Sequence, residues 1–189
     1  MSTIKMSEEL NHNRRRFLKN ASVAFAAAEL ATIGSADAQS SQTSPAQVSR
    51  IRPGTNTSFG SLKQINAGLL NVGYAEDGPS DGPAVVLLHG WPYDIHSYVD
   101  VAPLLASKGY HVIVPYLRGY GTTRFLAGGT FRNAQQSVVG LDIIALMDAL
   151  KIRTATVAGF DWGARTADVM ATLWPERCKA CLLYTSRCV

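Results

Sequence analysis

Asp161 stands between two glycines, in the five-residue run from Gly159 to Gly163. An apolar run precedes it and a helical pattern follows, so the chain must turn sharply here, and small flanking residues let such a turn project its central side chain. Aspartate is ionised at neutral pH and can attack carbon directly, whereas serine needs a histidine to remove its proton. No G-x-S-x-G pattern occurs in the sequence. Asp161 is therefore the predicted nucleophile, and its attack on an sp3 carbon with a leaving group, as in an epoxide or an alkyl halide, would give an alkyl ester.

Asp161 has a second interpretation, because aspartate commonly caps the helix that follows it by accepting hydrogen bonds from the first backbone N–H groups. The five-residue pattern alone does not separate the two interpretations. Its place directly after a buried strand and before a helix favours the nucleophile. The same place helps the chemistry, since the N–H groups and the positive dipole end of a helix N-terminus stabilise negative charge.

A second corner, His89-Gly90-Trp91-Pro92, ends another apolar run. Gly90 lets the backbone approach a ligand closely, and Pro92 fixes the turn. The backbone N–H of Trp91 can then point at developing charge, and with the N–H of Trp162 it would form the two-donor oxyanion hole that the ester's tetrahedral intermediate requires. We expect His89 to be structural, because it has no acidic neighbour nearby in the sequence. The Trp162 side chain is also compatible with an ordinary aromatic that fills the pocket floor.

Alternating strand and helix patterns must position these corners. Apolar runs bounded by turn residues predict strands that are covered on both faces, at residues 84–88, 110–114 and 154–158. Helical patterns lie at residues 97–108, 134–150 and 164–173, and the second of these is expected to bury Val138, Leu141, Ile144, Ala145 and Met147. Two short runs, 62–67 and 69–74, predict an antiparallel pair at a sheet edge. The predicted fold class is α/β, a doubly wound and mostly parallel sheet, with ligands beyond the carboxyl ends of its strands.

Three motifs stand at those strand ends: HGWP at 89–92, RGYG at 118–121 and GFDWG at 159–163. Together they resemble the α/β-hydrolase fold and, within it, the epoxide hydrolases and related haloalkane dehalogenases, over about residues 62–180. The resemblance implies Asp161 as nucleophile and the N–H groups of Trp91 and Trp162 as the oxyanion hole. It implies that Arg118 to Gly121 form a structural turn lining the top of the sheet. Tyr116 stands where the family often has Asp.

The same resemblance implies that an epoxide is opened to a diol through an Asp161 alkyl ester, with a small apolar substrate, water and no cofactor. A haloalkane dehalogenase would use the same nucleophile and hold the halide with the Trp162 indole N–H. Dehalogenases usually have Asn or Glu where Trp91 stands, which places that alternative second. A small-molecule-binding protein that keeps the pocket without catalysis is a further alternative. No cluster of His, Cys and Asp has the spacing of a metal site.

The family places an acid and then a histidine after the nucleophile, and a helical cap between the two halves of the sheet. The histidines of this sequence all precede Asp161, and they are His12, His89, His96 and His111. We therefore expect the N-terminal half of an α/β-hydrolase, at residues 61–180, without the cap and the C-terminal half and without turnover of its own. Residues 181–189 can be back-translated as a sequencing-library transposon end that runs into its own reverse complement and a stop codon. We expect them to be a non-native tail.

The first 60 residues carry an export pattern and no predicted chemistry. Arg14 and Arg15 come before an alanine-rich apolar stretch and then the small-x-small site Ala36-Asp37-Ala38. This order resembles a twin-arginine signal peptide, so we expect residues 1–38 to be read by the twin-arginine export machinery. Residues 39–60 are a predicted flexible linker, and the mature protein is expected to be periplasmic or secreted. The alternative is an amphipathic helix on a cytoplasmic enzyme.

The composition narrows the class of protein. With 189 residues, 47% apolar and 17% charged, the sequence is unlike disordered, collagenous or disulfide-scaffold proteins. The net charge of +4 comes from scattered basic residues, so no nucleic-acid partner is expected. No run of about 18 uninterrupted apolar residues is present, so no stable membrane span is expected.

Overall fold

The computed structural model describes residues 56–184. The predicted signal peptide, most of the predicted linker and the last five residues of the predicted tail lie outside this range.

A seven-stranded mixed sheet forms the centre of the fold. Its strands are β1 Lys63–Ala67, β2 Leu70–Asp77, β3 Ala84–Leu88, β4 His111–Pro115, β5 Arg124–Phe125, β6 Ala155–Phe160 and β7 Cys178–Tyr184. The sheet order is β1-β2-β4-β3-β6-β7, and the short β5 pairs with β2. Strands β4, β3, β6 and β7 run parallel, while β2 is antiparallel to both β1 and β4. The predicted mostly parallel sheet with an antiparallel pair at its edge is confirmed.

Alternation along the central strands divides the core into two layers. In β3, Val86 and Leu88 face one layer, while Val85 and Leu87 face the other. Helices α2 (Gln136–Ala149) and α3 (Trp162–Leu173) pack in the first layer, and α1 (Val101–Ser107) packs in the second. Because both faces are covered at the centre of the sheet, a parallel strand there can be apolar at every position, which is why β3 is a continuous hydrophobic run.

The first predicted helix, 97–108, is wrong at its start. A separate 3-10 turn, Ile95–Tyr98, comes first, and α1 begins only at Val101. The Asp94 carboxylate accepts the backbone N–H of His96 at 2.9 Å and caps this separate turn. The Tyr98 hydroxyl donates to the carbonyl of Leu88 at 2.9 Å. These two bonds fix the turn against β3 before the helix can start.

The predicted buried face of α2 is also partly wrong. Leu141 is 52% exposed, whereas Val139, Ile143 and Leu146 are buried. The helix is apolar on most of its sides, so periodicity alone does not select the inner face. The inner face also carries Asp142, an ionisable residue that an apolar pattern cannot place there.

The last described residues belong to β7. Cys181 to Tyr184 continue this strand and pair in parallel with Val157 to Phe160 of β6. The pairing includes a register shift between Ala155 and Thr156. The expectation that residues 181–189 are non-native stays a prediction, because parallel pairing of an apolar segment does not depend on where the segment comes from.

Candidate active site

The corner between β6 and α3 holds Asp161 in an unusual backbone conformation. Its φ is 51° and its ψ is −116°, immediately before the first residue of α3. A positive φ is costly for residues with a Cβ, and such strain is concentrated at functional sites. The sharp turn predicted from the G-x-D-x-G pattern is therefore present, with the aspartate at its apex.

The two glycines of this motif are required by backbone packing. A Cβ on Gly159 would lie 2.5 Å from the carbonyl carbon of Gly163. A Cβ on Gly163 would collide with the backbone carbonyl of Leu88 in β3. Strand β6 and helix α3 thus meet with no room for a side chain, which is how the nucleophile candidate is held at the end of the sheet.

The Asp161 side chain makes no hydrogen bond to its own helix. Instead, its Oδ1 accepts the backbone N–H of Trp91 at 2.9 Å. The capping interpretation is therefore wrong for this side chain. The carboxylate is turned toward the neighbouring corner, at the end of β3.

Gly90 makes this contact possible. A Cβ there would lie 2.5 Å from the Asp161 Cβ and 2.7 Å from the carbonyl oxygen of Phe160. The following peptide, Trp91-Pro92, is cis. The HGWP corner thus comes close enough to present the Trp91 amide to the carboxylate, as the sequence suggested for a ligand.

Trp162, the other predicted donor, is the first residue of α3. An amide in this position has no intrahelical acceptor and lies at the positive end of the helix dipole. Its side chain is 37% exposed, and it lines a pocket of about 210 Å³ together with Trp91, Leu117, Arg118, Tyr120, Ala134 and Val139. The three predicted site residues are therefore brought together at one end of the sheet.

Tyr120 lines the pocket, although its motif predicted only a structural turn. Burial raises the pKa of its hydroxyl, and the negative charge of Asp161 raises it further. The phenol is therefore neutral at physiological pH and lies within electrostatic range of the carboxylate. The RGYG motif gave the position of Tyr120 at a strand end, but the motif does not say which of its side chains faces the pocket.

The RGYG corner is held by a buried ion pair that the sequence motifs did not predict. Arg118 binds both carboxylate oxygens of Asp142, at 2.6 and 2.7 Å, and also donates to the carbonyl of Asn133 at 2.8 Å. Burial raises the pKa of Asp142, against the opposing effect of Arg118. Asp142, between Leu141 and Ile143 in the middle of α2, was the available signal, because a carboxylate on a buried helix face calls for a cation. The expected structural role of Arg118 agrees with this geometry.

The histidines in the described part of the chain all bond away from Asp161. His96 contacts Asp94, His111 contacts Glu76, and His89 accepts the backbone N–H of Leu117. Within residues 56–184, no group of three or more His, Cys, Asp or Glu side chains could hold a metal ion. No helix in that same range is long and apolar enough to cross a membrane.

Comparison with known proteins gives consistent matches. The family model described as alpha/beta hydrolase fold matches residues 83–187. Epoxide hydrolase B of Mycobacterium tuberculosis is 39% identical over 105 residues, which are 54% of this chain and 29% of that protein. Fluoroacetate dehalogenase of a Burkholderia species is 36% identical over 96 residues, which are 50% of this chain and 31% of that protein.

A solved structure adds a closer match. The crystal structure of a candidate epoxide hydrolase from Klebsiella pneumoniae subsp. pneumoniae has 66% sequence identity and a TM-score of 0.63, and the match covers 64% of this chain and 40% of that one. The present chain spans about 30% of the length of the two curated relatives.

Proposed function

The chain belongs to the alpha/beta hydrolase fold family, and on that premise we propose that the protein of which it forms part opens epoxides to diols, with Asp161 as the nucleophile. The observation that carries the proposal is the hydrogen bond of 2.9 Å from the Trp91 amide to Asp161 Oδ1. The side chain of a helix-capping aspartate would accept hydrogen bonds from the first N–H groups of its own helix. The carboxylate of a nucleophile instead needs a separate donor, here the Trp91 N–H, because the carbonyl of its ester must be polarised.

In this proposal the two carboxylate oxygens have different tasks, and the hydrogen bond from Trp91 supports the division. Oδ1 is held by Trp91 and becomes the carbonyl oxygen of the ester, so Oδ2 attacks the ring carbon. The carbon–oxygen bond of the ring breaks, and the ring oxygen takes a proton from a donor elsewhere in the protein. Water then attacks the ester carbonyl carbon, and the charge on Oδ1 is stabilised by the amides of Trp91 and Trp162. Collapse of the intermediate releases the diol and restores Asp161.

We propose that residues beyond this chain supply the remaining machinery: a histidine and an acid that activate the water, and a cap that carries the proton donor. No histidine of the sequence follows Asp161, and His89, His96 and His111 bond to other groups. The chain alone is then expected to form at most one ester per molecule, without turnover.

A dehalogenase is the second candidate. Its support is the similarity to fluoroacetate dehalogenase and the position of Trp162, whose side chain lines the pocket next to the nucleophile. The same Asp161 attack would then expel a halide. Halide release from a haloalkane or a haloacetate, measured beside diol formation from an epoxide, separates the two reactions. A pocket that binds such compounds without reaction would indicate the non-catalytic alternative.

The decisive experiment is a single turnover of the full-length protein with an apolar epoxide in water labelled with oxygen-18. Attack by Asp161 puts an unlabelled oxygen into the first diol, and the label enters the Asp161 carboxylate. Asp161→Asn is expected to lower the rate by about four orders of magnitude or more. Label in the diol at the first turnover would show direct attack by water and would overturn the proposal.

Two proposals concern the ends of the sequence. A long read of the source DNA across the codons for residues 178–189 is expected to continue past residue 180 into a cap, an acid and a late histidine. A stop after residue 189 would remove the enzyme proposal.

For export, we propose the twin-arginine route through Arg14 and Arg15. Sequencing of the mature N-terminus is expected to begin at Gln39, and replacing both arginines by lysine should leave the precursor inside the cell.

A further inference from the structure

His89 is a wholly buried imidazole that the proposed reaction does not use. It directly follows β3 and precedes Gly90 and Trp91, and its exposed fraction is 0%. Burying a polar ring is unfavourable unless it makes compensating bonds. A side chain that served only to fill this space could be apolar, so the bonds of the imidazole need an explanation.

One ring nitrogen of His89 links the HGWP corner to the chain that follows β4. His89 Nε2 accepts the backbone N–H of Leu117 at 3.1 Å, and Leu117 lies just beyond the end of β4. An accepting Nε2 requires the neutral ring with its proton on Nδ1. Burial lowers the pKa of His89, which favours this neutral form. The buried Nδ1 has no hydrogen-bond partner among the described residues, so the ring depends on the Leu117 bond at Nε2.

The imidazole ring makes a second link. The rings of His89 and Tyr120 are nearly perpendicular, at 72°, with their centroids 4.6 Å apart. Tyr120 and Trp91 line the same pocket. His89 therefore contacts this segment twice, through the amide of Leu117, which directly precedes the RGYG motif, and through the ring of Tyr120 within it.

We propose that His89 is a positioning residue that holds the Trp91 amide on Asp161 and Tyr120 in the pocket wall. Gly90 has no side chain to anchor the turn, so the direction of the next amide depends on the residue before it. The Nε2 bond fixes that residue to the end of β4. This role rests on the proposed function, because it matters to catalysis only if Trp91 serves the Asp161 ester.

A matched pair of substitutions tests the role. The Oε1 of a glutamine can reach the position of Nε2 and accept the Leu117 N–H, whereas an asparagine reaches only the position of Nδ1. In the full-length protein, His89→Gln is expected to keep kcat for an epoxide within about fivefold. His89→Asn is expected to lower kcat about 10- to 100-fold through slower ester formation, with a much smaller change in KM.

Leu146→Ala is the control for a purely structural effect. Leu146 is a fully buried side chain of α2, and an apolar side chain makes none of the hydrogen bonds that hold either corner, so its truncation lowers stability through lost packing. Its kcat per folded molecule is expected to equal that of the wild type. The proposal would be overturned if His89→Asn and His89→Gln had equal kcat. It would also be overturned if the kcat per folded molecule of His89→Asn changed no more than that of Leu146→Ala.

Hydrogen exchange of the Leu117 amide separates this proposal from the proposed function. Exchange is expected to accelerate in His89→Asn, by tenfold or more, and to stay near the wild-type rate in His89→Gln. If the wild type opens no epoxide, the proposed function fails while exchange still tests the link. If the wild type is active and the Asn variant keeps both kcat and amide protection, only the inference about His89 fails.

Discussion

The nucleophile corner, together with the HGWP turn that packs on it, and the RGYG corner are held by different forces. In the first, backbone packs on backbone, and added Cβ atoms on Gly90, Gly159 or Gly163 would lie within 2.5 Å of neighbouring atoms. At the RGYG corner, the buried guanidinium of Arg118 donates two hydrogen bonds, of 2.6 and 2.7 Å, to the buried carboxylate of Asp142. One corner depends on the absence of side chains, and the other depends on the presence of two charges.

This difference predicts how each corner tolerates change. Close backbone packing has no flexible part that could yield, so any added atom displaces Asp161 itself. An ion pair can be replaced as a unit by apolar groups of similar volume, but removal of one partner leaves an uncompensated buried charge. Single and double substitutions should therefore distinguish the corners.

The largest effect is expected from breaking the buried pair. Arg118→Met or Asp142→Leu alone should lower the free energy of unfolding by about 3–5 kcal/mol, because each leaves one charge buried and unpaired. The double variant should be far less destabilised than the sum of the two single variants. Denaturant unfolding of the full-length protein measures all three. Additive losses in the double variant would show that the two charges act independently.

The next effect belongs to the backbone-packed corner. Gly163→Ala should lower the free energy of unfolding by about 1–3 kcal/mol through overpacking against Leu88, and it should also abolish formation of the Asp161 ester. Gly128→Ala is the matched control, because a Cβ at Gly128 meets nothing within 4 Å. A Gly163→Ala protein with wild-type stability and activity would contradict the packing at this corner.

The sequence predicted the two corners unequally, for physical reasons. Small residues around Asp161 are visible in the sequence itself, and their need arises within a short stretch of chain. The partner of Arg118 lies 24 residues away on a helix, and nothing local in an apolar helix indicates which side faces the sheet. Leu141 was therefore expected inside, although it is 52% exposed. The role of Tyr120 depends on the contact between its ring and that of His89. These two residues belong to different motifs, RGYG and HGWP, so neither motif alone indicates the contact.

A smaller effect should reveal the strain at the nucleophile corner. Asp161 has a φ of 51°, which glycine adopts without the steric penalty of a Cβ. Asp161→Gly should therefore be more stable than Asp161→Ala by about 1 kcal/mol, although both lose the nucleophile. The comparison between two inactive variants removes any contribution of the carboxylate. Equal stability of the two would show that the turn is relaxed with any residue.

The smallest effect should come from a third set of charges, away from both corners. Glu76 binds Lys63 at 2.7 Å and His111 at 2.6 Å at the antiparallel edge of the sheet. Burial acts to raise the pKa of Glu76, but the hydrogen bonds from Lys63 and His111 outweigh it, and the net pKa is lowered from 4.5. A lowered pKa in the folded state means that Glu76 contributes stability above pH 4.5, which is lost as the pH falls through the folded-state value.

Glu76→Gln tests this contribution against the buried pair of the RGYG corner. At pH 7 the variant should lose about 1 kcal/mol or less, since the Lys63 side chain is 54% exposed and solvent screens its charge. The difference from the wild type should shrink as the pH is lowered below 4.5, because protonated Glu76 no longer differs from glutamine in charge. A gap that stays constant from pH 7 to pH 3.5 would contradict the lowered pKa. The contrast with Arg118 and Asp142, whose side chains are 4% and 10% exposed, then compares an ion pair with two buried partners and one whose cation is exposed.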